Sequence, residues 1–151
     1  MSEQDVLAGM HGYYLEDLRV GMVASFGKTI TEADIAAFAG VSGDTNPIHL
    51  HEGFAKTSRF GHRIAHGMLS ASFISTVVGT KLPGPGSIYV SQSLEFKAPV
   101  SIGETVTAVC EIVEIVVERR RVRLKTECRR GEDVVLAGEA VVMVPRRAAK
   151  S

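Results

Sequence analysis

The 151-residue chain carries no excess of charge, with 17 lysines and arginines against 17 aspartates and glutamates. With the signs cancelled, nothing in the global charge draws it to nucleic acid or to an anionic membrane surface. Only two cysteines are present, Cys110 and Cys128. That is far below the density of a disulfide framework, so buried thiols and a reducing compartment are expected. No uninterrupted apolar run approaches the roughly 20 residues that a membrane-spanning helix needs. Met1–Gly12 has acidic residues early and no apolar core, unlike a secretory leader, and the closing Ala-Ala-Lys-Ser is not a peroxisomal address. No internal repeat or low-complexity tract is visible. These absences make a cytoplasmic protein without a membrane or nucleic-acid partner the expectation.

What remains is an ordinary globular balance, 45% hydrophobic and 23% charged, in a chain the length of one domain. We expect a loose arm over 1–12, one domain over 13–146 and a short tail over 147–151. Val23–Thr29 alternates as a short strand. Thr31 followed by Asp34 reads as a helix N-cap with an acid in the first turn, and Ile35, Phe38, Ala39 and Ser42 recur at helical spacing, with glycines near the end. A second short helix is expected over 52–57, then a loop over 58–63. From His66 to Val78 the residues are apolar or small nearly all round, which predicts a central buried helix. The Pro83-Gly84-Pro85-Gly86 run ends that segment.

The rest reads as strands. Ile88, Val90, Leu94 and Phe96 alternate with polar neighbours. Thr105–Val117, Arg121–Arg130 and Asp133–Val144 follow, with Val122, Leu124, Thr126 and Cys128 on one face of the second of these. Three long strands with short connections predict an antiparallel meander, since parallel neighbours would need crossover helices. An antiparallel sheet wrapping one buried helix is an α+β architecture.

The chemistry concentrates in Ser42–Leu50. Pro47 fixes its own φ and pushes Asn46 away from helical geometry, so the segment is a shaped loop. Asn46 and Pro47 structure that loop, and Asp44 and His49 flank the bend as two groups able to exchange protons. The five histidines do not suggest a metal site: His49 and His51 would diverge if extended, and no cysteine or carboxylate cluster completes a set with them or with His62 and His66. His66 reads as an N-cap or loop anchor. Arg119–Arg130 is the one basic concentration, but Glu118 and Glu127 dilute it and no aromatics are interleaved, which favours an exposed strand face.

Gly43-Asp44-Thr45-Asn46-Pro47-Ile48-His49-Leu50, Phe60-Gly61, Ile64-Ala65-His66-Gly67-Met68-Leu69, Phe96-Lys97-Ala98-Pro99-Val100 and Gly103-Glu104 together resemble the MaoC-like dehydratases, and within them the (R)-specific enoyl-CoA hydratases. The resemblance runs in order from about Leu15 to Pro145. It implies a hot-dog fold, a long central helix wrapped by a curved antiparallel sheet, in a protein that is normally a homodimer and can form higher assemblies. The implied reaction is reversible addition of water to trans-2-enoyl-CoA, giving the (R)-3-hydroxyacyl-CoA. Asp44 and His49 fall on the catalytic pair of that pattern, Gly67 on the donor of a backbone N–H to the thioester carbonyl, and Ser75 on a further active-site polar position. No cofactor is implied, coenzyme A being part of the substrate. An acyl-carrier-protein dehydratase, a hot-dog thioesterase and a non-catalytic acyl-binding module are the alternatives. Which of Asp44 and His49 is base and which acid stays open at this level.

Overall fold

In the computed structural model, residues 1–148 are described. The chain forms helices α1 (Glu3–Gly9), α2 (Glu32–Ser42), α3 (Pro47–Leu50), α4 (Glu52–Lys56) and α5 (Gly67–Thr80). The strands are β1 (Val23–Thr29), β2 (Ile88–Gln92), β3 (Glu95–Phe96), β4 (Thr105–Val116), β5 (Arg121–Arg130) and β6 (Asp133–Met143). They make one six-stranded sheet in the order β1-β4-β5-β6-β2, with β3 also on β6, and every pairing is antiparallel. The expected meander is therefore β4-β5-β6. Register shifts between Ile112 and Glu114 and between Cys128 and Arg129 locally increase twist, which helps the sheet curve round α5. This is the α+β hot-dog arrangement.

The core lies between the concave face of the sheet and α5. Leu69, Phe73, Ile74, Val77 and Val78 of α5 are buried with Val106, Ala108, Cys110, Ile112, Val122, Leu124 and Val142 of the strands. Each large aliphatic side chain so buried contributes about 1.5–3 kcal/mol, which is why the near-continuous apolar character of α5 specifies its place. Cys110 and Cys128 are free and buried, and the Cys128 thiol donates to the Ser70 carbonyl at 3.3 Å.

Some expectations need correction. Helix α5 is not covered all round: Met68, Ser72, Ser75 and Gly79, which recur at 4, 3 and 4 residues, share an exposed stripe. The run beginning at Ile88 is two strands, and Ile88 and Val90 are exposed despite their alternation, because β2 is an edge strand with no neighbour beyond it. Residues 3–9, within the stretch expected to be a loose arm, form α1 with a capping box between Ser2 and Asp5, and none of its residues is buried. Residues 149–151 of the expected tail lie outside the described residues. Arg147 pairs with Asp17 at 2.7 Å.

Candidate active site

Helix α2 delivers the chain to the site. Thr31 Oγ1 accepts the Asp34 N–H at 3.1 Å while the Asp34 carboxylate accepts the Thr31 N–H at 2.9 Å, so the N-cap expected at Thr31 is present and is completed by Asp34 into a capping box. At the other end Gly43, at φ 78°, closes the helix in the left-handed region, which costs glycine nothing. Asp44 follows directly. Its Oδ1 accepts the Asn46 N–H at 3.2 Å, which aims the carboxylate. Asn46 Oδ1 in turn accepts the Ile48 N–H at 3.1 Å, so Asn46 is an N-cap with Pro47 at the first helical position.

The Asp44–His49 segment is thus not loop throughout. Pro47–Leu50 is a single helical turn, and His49 projects from it into the interior, 8% exposed. Asn46 is non-helical, at φ −51° and ψ 126°, as the proline after it requires, and the missing N–H of Pro47 falls where no helical partner exists.

His49 Nδ1 lies 2.7 Å from the Ile64 carbonyl oxygen, a contact that requires Nδ1 to carry the proton and leaves the Nε2 lone pair free. Burial holds the His49 imidazole below the ordinary histidine range. The neighbouring His66 pushes the same way, while the bond to Ile64 and the Asp44 charge oppose it. A neutral ring with an exposed lone pair is a proton acceptor.

His66 immediately precedes α5 and is 2% exposed. It occupies the N-cap position without capping the helix; its Nε2–H donates to the Asp44 carbonyl at 2.9 Å, so it is the anchor of the Asp44 loop. Its ring stacks on that of His49 at 3.9 Å with 28° between planes, and Phe38 of α2 packs at 4.8 Å. Side-chain donor atoms of Asp44, His49 and His66 lie within 4.8 Å of one another. The sequence pairs His49–His51 and His62–His66 do not form: His51 Nδ1 caps α4, and His62 bonds Ser101. The His49–His66 pairing spans 17 positions and has no local signal.

Gly67 begins α5, and its N–H has no acceptor among the described residues. The positive end of the helix dipole lies there. The Phe96 ring lies over it, so that a Cβ on Gly67 would come within 2.7 Å of two ring carbons. Gly67 and Phe96 both line a cavity of about 440 Å³ that also takes in Phe60, Ile64, Met68 and Ser70. Asp44 and His49 are not in its lining; His49 is tied to it through the bond of its Nδ1 to the carbonyl of Ile64, a lining residue.

Ser75 is not brought to this group. It is exposed on the Met68–Gly79 stripe, eight residues beyond Gly67, or about 12 Å along the helix at 1.5 Å per residue. Arg63 was not singled out from sequence. It pairs with both Glu32 oxygens at 2.8 and 2.6 Å, reaches Glu52 at 3.3 Å and donates to the His49 carbonyl at 3.4 Å, tying α2, α3 and α4 together. Its position in a polar loop resembles that of many surface arginines, so only the fold reveals it.

The fold is that of a hot-dog protein, with the side chains of Asp44, His49 and His66 gathered just before the N-terminus of α5. Residues 19–135 match the MaoC like domain model. The chain is 54% identical over 147 residues to an (R)-specific enoyl-CoA hydratase from Rhodospirillum rubrum, covering 97% of this chain and 99% of that one. It is 52% identical over 134 residues to a 3-hydroxybutyryl-CoA dehydratase from Methylorubrum extorquens, covering 89% and 85% of the two chains. Among solved structures, the (R)-hydratase from Aeromonas caviae superposes with a TM-score of 0.83 at 44% identity, covering 86% of this chain and 99% of that one. The chain belongs to the MaoC-like dehydratase family.

Proposed function

We propose that the protein is an (R)-specific enoyl-CoA hydratase, a hydro-lyase that reversibly adds water to trans-2-enoyl-CoA to give (R)-3-hydroxyacyl-CoA. The observation that carries this is the meeting of the Asp44 and His49 side chains with that of His66, the residue before Gly67, whose N–H has no acceptor among the described residues. The names of the curated relatives support the substrate class.

In this reading Asp44 and His49 grip one water. As its oxygen bonds to C3, a water proton passes to His49 Nε2, and the π electrons move through C2 onto the thioester oxygen. The Gly67 N–H holds that developing charge; a preorganised donor of this kind is worth roughly 3 kcal/mol in the transition state. The imidazolium, steadied by the Asp44 charge, then returns the proton to C2, so no atom is lost or supplied from outside. Water and proton come from one side, giving syn addition and a single product hand. Asp44 orients the water and His49 is the base, because the Ile64 carbonyl fixes the tautomer with Nε2 unprotonated. No cofactor enters, coenzyme A being the substrate's handle. Ser75 is a polar contact for the acyl chain further along α5.

The acting unit is a homodimer. The β2 edge presents Ile88 and Val90 at 56% and 50% exposure, and the open stripe of α5 adds Met68. A second copy pairing along β2 would satisfy that edge. No helix of the described residues is long and apolar enough to cross a membrane, and two buried free thiols suit the reducing cytoplasm.

The test is hydration of crotonyl-CoA with chiral analysis of the product. (R)-3-hydroxybutyryl-CoA is expected; the (S) product, or free coenzyme A from thioester hydrolysis, would contradict the reading.

A further inference from the structure

His66 is a costly residue for its place. It is 2% exposed, and its Nδ1 is the buried side-chain atom left without a hydrogen-bond partner among the described residues. Burying an unsatisfied acceptor costs about 1–3 kcal/mol, and an apolar side chain of similar shape would fill the space without that cost. Packing alone does not account for an imidazole here.

What the imidazole does is visible in its contacts. One edge, Nε2–H, fixes the backbone carbonyl of Asp44, the residue that holds the carboxylate. One face lies against the His49 ring, and Phe38 packs against His66 as well. His49 is held in plane by the bond to Ile64 and by the His66 stack, so it loses the freedom to turn Nε2 out of line. Both members of the pair are therefore registered by a single side chain rooted at the start of α5, directly before the Gly67 N–H.

We propose that His66 is a positioning residue for the hydration reaction, aligning Asp44 with His49 by holding the Asp44 carbonyl through its Nε2–H and the His49 ring through its face. The proposal rests on the function proposed above. The charges facing the two rings are the Asp44 carboxylate and the Arg63 guanidinium at the His49 carbonyl, the latter neutralised by Glu32 and Glu52. Neither takes the place of His66 on the His49 ring.

Three full-length variants and one spectrum test this. His66→Phe keeps the ring shape but removes the donor and the second ionisable group. It should lower kcat for crotonyl-CoA about 30- to 100-fold, the scale of a small misplacement, with KM within about threefold. His66→Gln restores an N–H toward the Asp44 carbonyl and should recover kcat to within about tenfold of the parent, whereas His66→Ala should not. If His66→Phe keeps kcat within about threefold, His66 merely fills space and the proposal fails. Should the variants not fold, ¹⁵N-histidine spectra of the parent still decide it. The tautomer of His66 with its proton on Nε2 is expected, and the tautomer with its proton on Nδ1 would overturn the proposal. That readout needs no turnover, so it separates failure of this inference from failure of the hydratase reading.

Discussion

Gly67→Ala places one methyl group at the point where the reaction is expected to build charge. The added Cβ would stand 2.7 Å from Phe96 Cδ1 and Cε1, closer than atoms tolerate, so the ring must swing aside. Phe96 is 52% exposed and can move; leaving its rotamer costs about 0.5–1.5 kcal/mol. Alanine is the better helix former by up to about 1 kcal/mol. These contributions oppose each other, and the net change in stability should stay within about 1 kcal/mol. Catalysis should suffer far more, because the methyl bars the thioester oxygen from the backbone N–H. Loss of one such donor lowers kcat about 100-fold or more. Steady-state hydration of crotonyl-CoA beside a thermal melt measures both. The double variant Gly67→Ala/Phe96→Ala removes the steric conflict with the ring. Activity should remain low in it if the methyl blocks the donor, and should return if displacement of Phe96 was responsible. A single variant with kcat within about threefold and an unchanged melt would refute the role of the Gly67 N–H.

Other perturbations follow from the same geometry. Activity needs His49 unprotonated, and burial lowers its pKa, so the acid limb of kcat/KM should lie below the ordinary histidine value of about 6.5; a limb above neutrality would contradict this. The unfolded chain binds the extra proton first, so the His49 contribution to stability is complete above about pH 6.5. It is lost as pH falls from there through the lowered folded value, as urea titrations across that window should show. Asn46→Ala removes the α3 cap and should cost about 1 kcal/mol in chemical denaturation, while the backbone N–H that aims Asp44 is kept. Burial pushes the Cys110 and Cys128 thiols up to about 12, so a thiol reagent should label neither in the folded protein and both in denaturant.

Where local chemistry decides structure, the sequence was legible. Thr31 and Asp34 announce α2, alternation from Arg121 to Arg130 announces β5, and the apolar run after His66 announces the central helix. Reading failed where the outcome depends on what lies beyond the element. Ile88 and Val90 alternate like core residues, yet β2 has no further neighbour and leaves both exposed. Helix α3 is four residues long, too short for any periodicity, and its cap is a side-chain bond from Asn46. The proposed catalytic pair, Asp44 and His49, comes from their spacing together with the family resemblance. Their dependence on His66, 22 positions after Asp44, arises only when α5 docks beneath the loop. Ser75 shows the converse: the resemblance carried it to the site, while helical rise in the single chain sets it about two turns away.

The central claim is that Asp44 and His49 act together on water at the foot of α5. Its most direct test is the rate of crotonyl-CoA hydration by Asp44→Asn, a nearly isosteric change at an exposed residue that keeps the side-chain oxygen able to accept the Asn46 N–H. A fall in kcat/KM of about 1,000-fold with an unchanged melting temperature is expected, because the amide no longer supplies the charge that orients the water and steadies the His49 imidazolium. A variant that hydrates crotonyl-CoA within about tenfold of the parent rate would contradict the account.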